Sequence, residues 1–270
     1  MSARRQSDAE PRYESLSAAL ATHVVRRRRH GLRSIALWSS LLVAAVCVVA
    51  AHISAPTRLD AILSNASSVL VVVAHPDDET LFFAPTVLGL AVDKRRVGVL
   101  VLSNGDHEGV GGLREREMQL ACSTLGLRPC TVLNDPDLQD GPQHDWPPST
   151  IQHHVRAAAK GFDAVITFDG HGVTGHANHR AVSRALVANA PYLPPIYTLR
   201  SLNVIPHYLG PVQTLLSLRS TSSARFVVNR DRYLVARAAF RAHASQAVWF
   251  RSLNVLLSSF LYSNQLDRVH

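Results

Sequence analysis

From Ser68 to Ala74 the chain reads Ser-Val-Leu-Val-Val-Val-Ala, a short, unbroken and largely β-branched apolar stretch. A run with no polar face is how a central parallel strand buried on both sides reads. Val97–Leu102 and Ala164–Phe168 repeat the pattern. The segments Arg114–Leu125 and Ala181–Ala188, which each follow one of these runs, have helical spacing. Strands alternating with helices predict an α/β fold, a Rossmann-like and mostly parallel sheet with helices on both faces.

A longer apolar run lies upstream. Ile35 to Ile53 is nineteen residues with only Ser39, Ser40 and His52 polar, close to the roughly 20 residues that cross a bilayer. A cleavable signal peptide is the rival reading, since Ala50 and Ala51 are small, but the basic leader is unusually long for one, which favours an uncleaved anchor. At the other end, Ala247–Tyr262 is apolar with aromatics at both ends, but Arg251 and Asn254 interrupt it and it is short for a span. It fits either a helix lying in the membrane interface or one packed on the domain. The chain divides accordingly into a basic arm (1–33), a transmembrane anchor (34–53), a linker (54–67), a catalytic domain (68–225) and a C-terminal helical, membrane-proximal extension of that domain (226–270).

The polar residues that end the apolar runs carry the chemistry. Directly after the first run comes Ala74-His75-Pro76-Asp77-Asp78-Glu79. Pro76 cannot continue a strand ladder, so these residues emerge into a loop. Alone they would read as a turn with solvated acids. A second cluster, Gly175-His176-Ala177-Asn178-His179, follows the Ala164–Phe168 run. His176 and His179 share a face if they open a helix. Both clusters then fall at the carboxyl edge of one parallel sheet, where such folds bind ligands. Imidazole and carboxylate together suit a catalytic Zn2+, with another divalent metal as the alternative. Of two adjacent aspartates, one can turn to the metal while the other faces water as a base.

Other candidates surround these clusters. The glycine-rich loop Ser103–Gly112 is equally readable as a mobile surface loop or as a lid over substrate. Arg114 could hydrogen-bond sugar hydroxyls or phosphate, the alternative being an exposed helix charge paired with Glu117. Asp137 and Asp169 are substrate-contact candidates whose alternative is turn or cap formation. His107, His144, His153, His154 and His171 lack ligand spacing with a carboxylate and point to no second metal centre.

Charge and cysteine content refine the picture. The net charge is +8, and residues 1–33 alone carry eight arginines against three acids. The cluster Arg26–Arg29 abuts the apolar run, which favours anionic lipid headgroups, with no nucleic-acid-binding motif present. Cys47, Cys122 and Cys130 show no metal-like spacing and read as free thiols.

With these residues in view, the chain resembles the phosphatidylinositol-glycan class L family of zinc-dependent N-deacetylases. The resemblance rests on Ala74–Glu79, Phe82–Leu90, Arg114-x-x-Glu117, Thr167-Phe168-Asp169, Gly172-Val173-x-Gly175-His176-x-Asn178-His179, Ser201-x-Asn203-Val204 and Ser245-Gln246-x-x-Trp249-Phe250-Arg251. It runs from Val69 to the C-terminus. It implies that His75, Asp78 and His179 bind zinc and that Asp77 is the general base. His176 would stabilise the tetrahedral intermediate or protonate the leaving amine. The substrate it implies is N-acetylglucosaminyl-phosphatidylinositol, deacetylated in the second step of glycosylphosphatidylinositol (GPI) assembly. A deacetylase of another N-acetylglucosamine conjugate and a non-catalytic sugar-lipid binding protein are the alternatives. Retention of Asp77, which the chemistry needs and metal binding does not, disfavours the second.

The family implies the endoplasmic reticulum membrane, with a single pass and a cytosolic catalytic domain. The positive-inside rule gives the opposite orientation, because Arg26–Arg29 and Arg33 precede the apolar run and only Arg58 closely follows it. The expectation is a cytosolic catalytic domain, as the resemblance implies. The sequon Asn65-Ala66-Ser67 would report a lumenal domain by glycan addition.

Overall fold

A computed structural model describes residues 34–44, 56–92, 94–141 and 144–269. Residues 34–44 are helical and exposed, and the rest of the expected anchor, like the basic arm, lies outside the described residues. Among the described residues no helix is long and apolar enough to cross a membrane.

The folded body is built on a seven-stranded sheet: β1 (Ser68–Val73), β2 (Arg96–Val101), β3 (Cys130–Val132), β4 (Ala164–Phe168), β5 (Ile196–Leu199), β6 (Ala224–Val227) and β7 (Ser263–Arg268). Its order is β3-β2-β1-β4-β5-β7-β6. The first five strands are parallel, while β7 runs antiparallel to both β5 and β6. Every residue of β1, β4, β5 and β6 is buried. Since successive strand residues point to opposite faces, both faces of these strands are covered. The helices that position the site are α1 (Asp78–Leu81), α2 (Ala84–Val92), α3 (Gly111–Leu125), α4 (Pro148–Ala158), α5 (Ala177–Ala188), α6 (Arg230–Ala242) and α7 (Trp249–Leu257). They gather into two packed sets, α2, α3 and α6 in one, α4 and α5 in the other.

In the order 3-2-1-4-5, strands are added to one side of β1 and then, from β4, to the other, and this reversal of strand order leaves a crevice beyond the carboxyl ends of β1 and β4. Both polar clusters emerge there, the first from β1 and the second from the loop after β4.

Three sequence expectations change. The segment 56–67 is not a loose linker. Leu63 is fully buried, Asp60 caps the short helix Ala61–Asn65, and Arg58 exchanges two backbone hydrogen bonds with Arg225. The boundary at 225/226 falls inside β6, and the C-terminal segment ends as a strand rather than as helix alone. Pairing β6 with β5 through β7 makes that segment part of the sheet. Cys122 and Cys130 form a disulfide between the end of α3 and β3, where free thiols were expected. Packing of the helix end beside the edge strand brings together sulfurs that spacing alone gave no reason to pair.

Candidate metal and acid–base site

Asp77 occupies the sharpest turn of the site. Its φ is +104°, a left-handed backbone conformation uncommon for a residue with a side chain and typical of functional positions held in place by their surroundings. Its N–H donates to Glu79 Oε2 at 3.1 Å, and Glu79 in turn pairs through Oε1 with His243 at 2.7 Å, both side chains fully buried. Asp77 Oδ2 lies 2.6 Å from Arg251 Nη1 on α7. Burial, with Asp78 next door, pushes the Asp77 carboxyl up to about 6, against the opposing pull of Arg251, Arg114 and His243. It is a carboxylate poised to exchange a proton near neutrality.

Asp78 has the opposite character. Oδ2 accepts from the backbone N–H groups of Ala74 at 3.1 Å and His75 at 2.8 Å, and Oδ1 lies 3.2 Å from His179 Nε2. Burial works against its charge, but His179 and His75 outweigh that and hold its carboxyl well below the usual range. It stays ionised, the state in which a carboxylate can bind a cation.

His179 is fixed by its own surroundings. Its ring stacks on Phe168 at 4.0 Å between centroids, and Nδ1 donates to the Gly172 carbonyl at 3.0 Å. That hydrogen bond sets the tautomer and leaves Nε2 facing Asp78, the arrangement by which ligating histidines are commonly oriented. Burial pushes its pKa down, but Asp78 overrides this and raises it. Gly172 is required here, because its φ is +65° and an added Cβ would lie 2.9 Å from that of His179. His176 caps α5, its Nδ1 accepting from the Asn178 N–H at 3.3 Å. Burial and its imidazole neighbours push its pKa down.

His75, His176 and His179 offer ligand atoms that all lie within 4.8 Å of one another. The sequence-expected set is His75, Asp78 and His179, and the geometry brings all four side chains together. A cation here could draw on the imidazoles of His75 and His179, with the Asp78 carboxylate or the His176 imidazole as third donor, a donor set whose chemistry fits Zn2+.

The remaining candidates separate. Arg114 is buried and pairs with neither Glu117 nor solvent. It donates to the carbonyls of Gly105 at 2.9 Å and Pro76 at 2.8 Å, tying the loop after β2 to the Asp77 turn. Glu117 instead accepts from the N–H and Oγ of Ser245 at 2.7 and 2.6 Å, which fastens the C-terminal segment to α3. Asp169 accepts from the N–H groups of His171, Gly172 and Ser201 and from Ser201 Oγ. It shapes the loop that delivers His176 and His179. Asp137 stands outside the cluster, with its carboxylate accepting from Thr150 Oγ1 at 3.2 Å.

The acid that does reach the site is Asp140, which sequence reasoning passed over. It lies 3.2 Å from His75 Nε2 and 3.6 Å from Arg114. Burial opposes its charge, but His75 and Arg114 lower its pKa to about 2. Asp140, Arg114, His176 and Arg251 line a cavity of about 410 Å³, with Gly105, His107, Glu108 and Val110 from the loop after β2 on its wall. That loop therefore forms a wall of the cavity.

The profile of the family described as "PIG-L: GlcNAc-PI de-N-acetylase" matches residues 70–190. The "Probable N-acetylglucosaminyl-phosphatidylinositol de-N-acetylase" of Schizosaccharomyces pombe is 34% identical over 244 residues, spanning 86% of this chain and 98% of the relative. The bovine (Bos taurus) N-acetylglucosaminyl-phosphatidylinositol de-N-acetylase is 35% identical over 212 residues, 74% and 83% of the two chains. In fold, the N,N'-diacetylchitobiose deacetylase of Pyrococcus horikoshii superimposes with a TM-score of 0.58 at 15% identity, covering 78% of this chain and 86% of that one.

Proposed function

Because the chain belongs to the PIG-L, GlcNAc-PI de-N-acetylase family, we propose a course for its reaction built on the surroundings of Asp77. The protein is a deacetylase that hydrolyses the acetamide of N-acetylglucosaminyl-phosphatidylinositol to glucosaminyl-phosphatidylinositol and acetate, the second step of GPI anchor biosynthesis. The observation that carries the mechanism is a buried carboxylate with its pKa raised to about 6, set beside a cluster of three imidazoles.

His75, Asp78 and His179 would hold the metal, which we take to be zinc. Bound there, it supplies a Lewis acid that makes water a better nucleophile and polarises the acetyl carbonyl. Asp77 accepts a proton from the attacking water and, once protonated, can pass it to the departing nitrogen, which must not leave as an amide anion. His176 is held with Nδ1 as acceptor, so the neutral ring carries its proton on Nε2. That N–H suits the acetyl oxygen as negative charge develops on it. Asp140, at the cavity wall, can accept from sugar hydroxyls, and Arg114 holds the two loops between which the sugar would lie.

Acetate release from N-acetylglucosaminyl-phosphatidylinositol tests the reading. Membranes carrying the wild-type chain should release acetate, whereas Asp77→Asn should lose about 100- to 10,000-fold in rate, the range for removing a general base. The purified variant should still contain metal. A metal-loaded wild type without activity would overturn the assignment.

For location, the family supports the endoplasmic reticulum membrane with the catalytic domain facing the cytosol. A second reading, a lumenal domain, is favoured by the Cys122–Cys130 disulfide, since disulfides are rare in reducing compartments, and by the arginine asymmetry around residues 35–53. Cells quenched in acid and denatured with an alkylating agent decide between them. A cytosolic domain gives three alkylated cysteines without reductant, and a lumenal one gives only Cys47 until reduction.

A further inference from the structure

Two segments far apart in sequence form one exposed apolar face beside the site. In the first, Val204 and Ile205 are 76% and 75% exposed. The second is α7, where Trp249 is 79% exposed and Leu256 and Leu257 are 49% and 41% exposed. The segments are joined underneath. Ser259 Oγ donates to the Pro206 carbonyl at 2.7 Å, and the Leu257 carbonyl lies 3.3 Å from where a Cβ on Gly210 would sit. Trp249 and Leu256 are seven residues apart and so share a face of α7, while Val255 is buried on the other side. The stripe they mark is about 10 Å long at 1.5 Å per residue. Arg251, two residues on from Trp249 and so on the opposite side of α7, reaches Asp77 and lines the cavity, so the helix that bears the stripe is also a wall of the site.

A cation stands beside this face. Tyr262 Oη donates to the Leu256 carbonyl at 3.0 Å, its ring stacks on Tyr233, and the Arg237 guanidinium lies 5.8 Å from the centroid of the Tyr233 ring. Large exposed aliphatic side chains with a tryptophan and a flanking arginine are what an anionic bilayer surface attracts.

We propose that this composite face, Val204–Ile205 with the outer side of α7, seats the catalytic domain on an anionic lipid bilayer. The choice of occupant rests on the substrate reading above, because a phosphatidylinositol keeps its acyl chains in the membrane and brings only its headgroup and sugar to the cavity. Docking on α7 sets the cavity mouth at headgroup level. Arg251 faces inward from the same helix, onto the catalytic base. The face is distinct from the anchor expected at 34–53, since it orients the site where an anchor only tethers it.

Tryptophan quenching tests the docking without using activity. The full chain carrying Trp38→Phe, and a second form carrying Trp38→Phe with Trp249→Phe, are reconstituted into phosphatidylcholine–phosphatidylinositol vesicles. In matched vesicles, part of the phosphatidylcholine carries bromine near the top of its acyl chains. The difference between the two forms isolates Trp249, and its emission should fall about twofold or more in brominated vesicles, as for an interfacial tryptophan. Unchanged emission, whether Trp249 faces water or is covered by protein, overturns the proposal. Acetate release supplies a second readout. Val204→Ser with Ile205→Ser should leave turnover of detergent-dispersed substrate unchanged and lower turnover of bilayer-embedded substrate about tenfold. Equal rates on both would also overturn it. If no form releases acetate, the substrate reading fails, and the quenching experiment still decides the docking.

Discussion

Arg251 Nη1 lies 2.6 Å from Asp77 Oδ2 across 174 residues of sequence. The contact places a cation from the C-terminal helix on the carboxylate that emerges from the first strand. It opposes the burial that raises the pKa of Asp77, so the base works at a pH set partly by the far end of the chain.

Removing that cation should therefore move the pH profile. A general base acts deprotonated, so activity falls as pH drops through its pKa. Arg251→Ala deletes a charge that lowers the pKa, and the acid limb of kcat/KM should shift to higher pH, with Arg251→Lys lying between the two. A profile superimposable on wild type would show that the pair is open during turnover.

Asp140 and Asp137 should behave differently. Asp140→Asn loses the partner of His75 and Arg114 and should reduce kcat/KM by about 10- to 100-fold, the range for carboxylates that orient a ligating histidine. Asp137→Asn alters only a contact with Thr150 and should stay close to wild type. Steady-state kinetics on both variants would check the contrast.

The third metal donor can be assigned by metal content. Asp78→Asn should weaken metal binding by about 100-fold or more, because the carboxylate is held ionised against His179. His176→Gln should retain metal and lose rate instead. Retention of metal in Asp78→Asn together with its loss in His176→Gln would assign the three-imidazole set.

The buried pair Glu79–His243 should matter to stability. His243→Leu leaves Glu79 buried without its partner and should cost about 3–5 kcal/mol, measured by urea unfolding. The pKa of His243 is affected first by burial, which lowers it, but Glu79 reverses this and leaves it raised. The pair's contribution is then complete below the unfolded pKa of about 6.5 and is lost as pH rises through the higher folded value. The gap between wild type and variant should narrow toward alkaline pH.

What the sequence made legible was local. The run Ser68–Ala74 is apolar at every position because both faces of β1 are covered, and the residues after it stand at the sheet edge because a parallel strand ends there. His176 and His179 could be placed on one face by spacing alone. Asp140 could not be found this way. It lies beyond β3, a three-residue, half-exposed strand, in a stretch where Asp135, Asp137, Asp140 and Asp145 look alike. Which of them reaches His75 depends on how that loop packs. The contacts of Glu79 with His243 and of Glu117 with Ser245 join parts of the chain more than a hundred residues apart, and no periodicity links them. Cys122 and Cys130 are close in sequence, yet their pairing depends on the angle at which α3 meets the edge strand.

The position of β7 bears on how the protein is made. This strand, the last regular element, lies between β5 and β6. During synthesis β5 and β6 therefore emerge before the strand that joins them, each with an open edge of unpaired backbone groups that other chains can bind. The segment that follows β6 also supplies His243 and Arg251, so the catalytic base acquires its final surroundings only after residues as far as Arg251 have been made. Truncation after Ala242 should yield a chain that retains every proposed metal ligand yet, lacking β7, presents an unfinished sheet to chaperones and proteases.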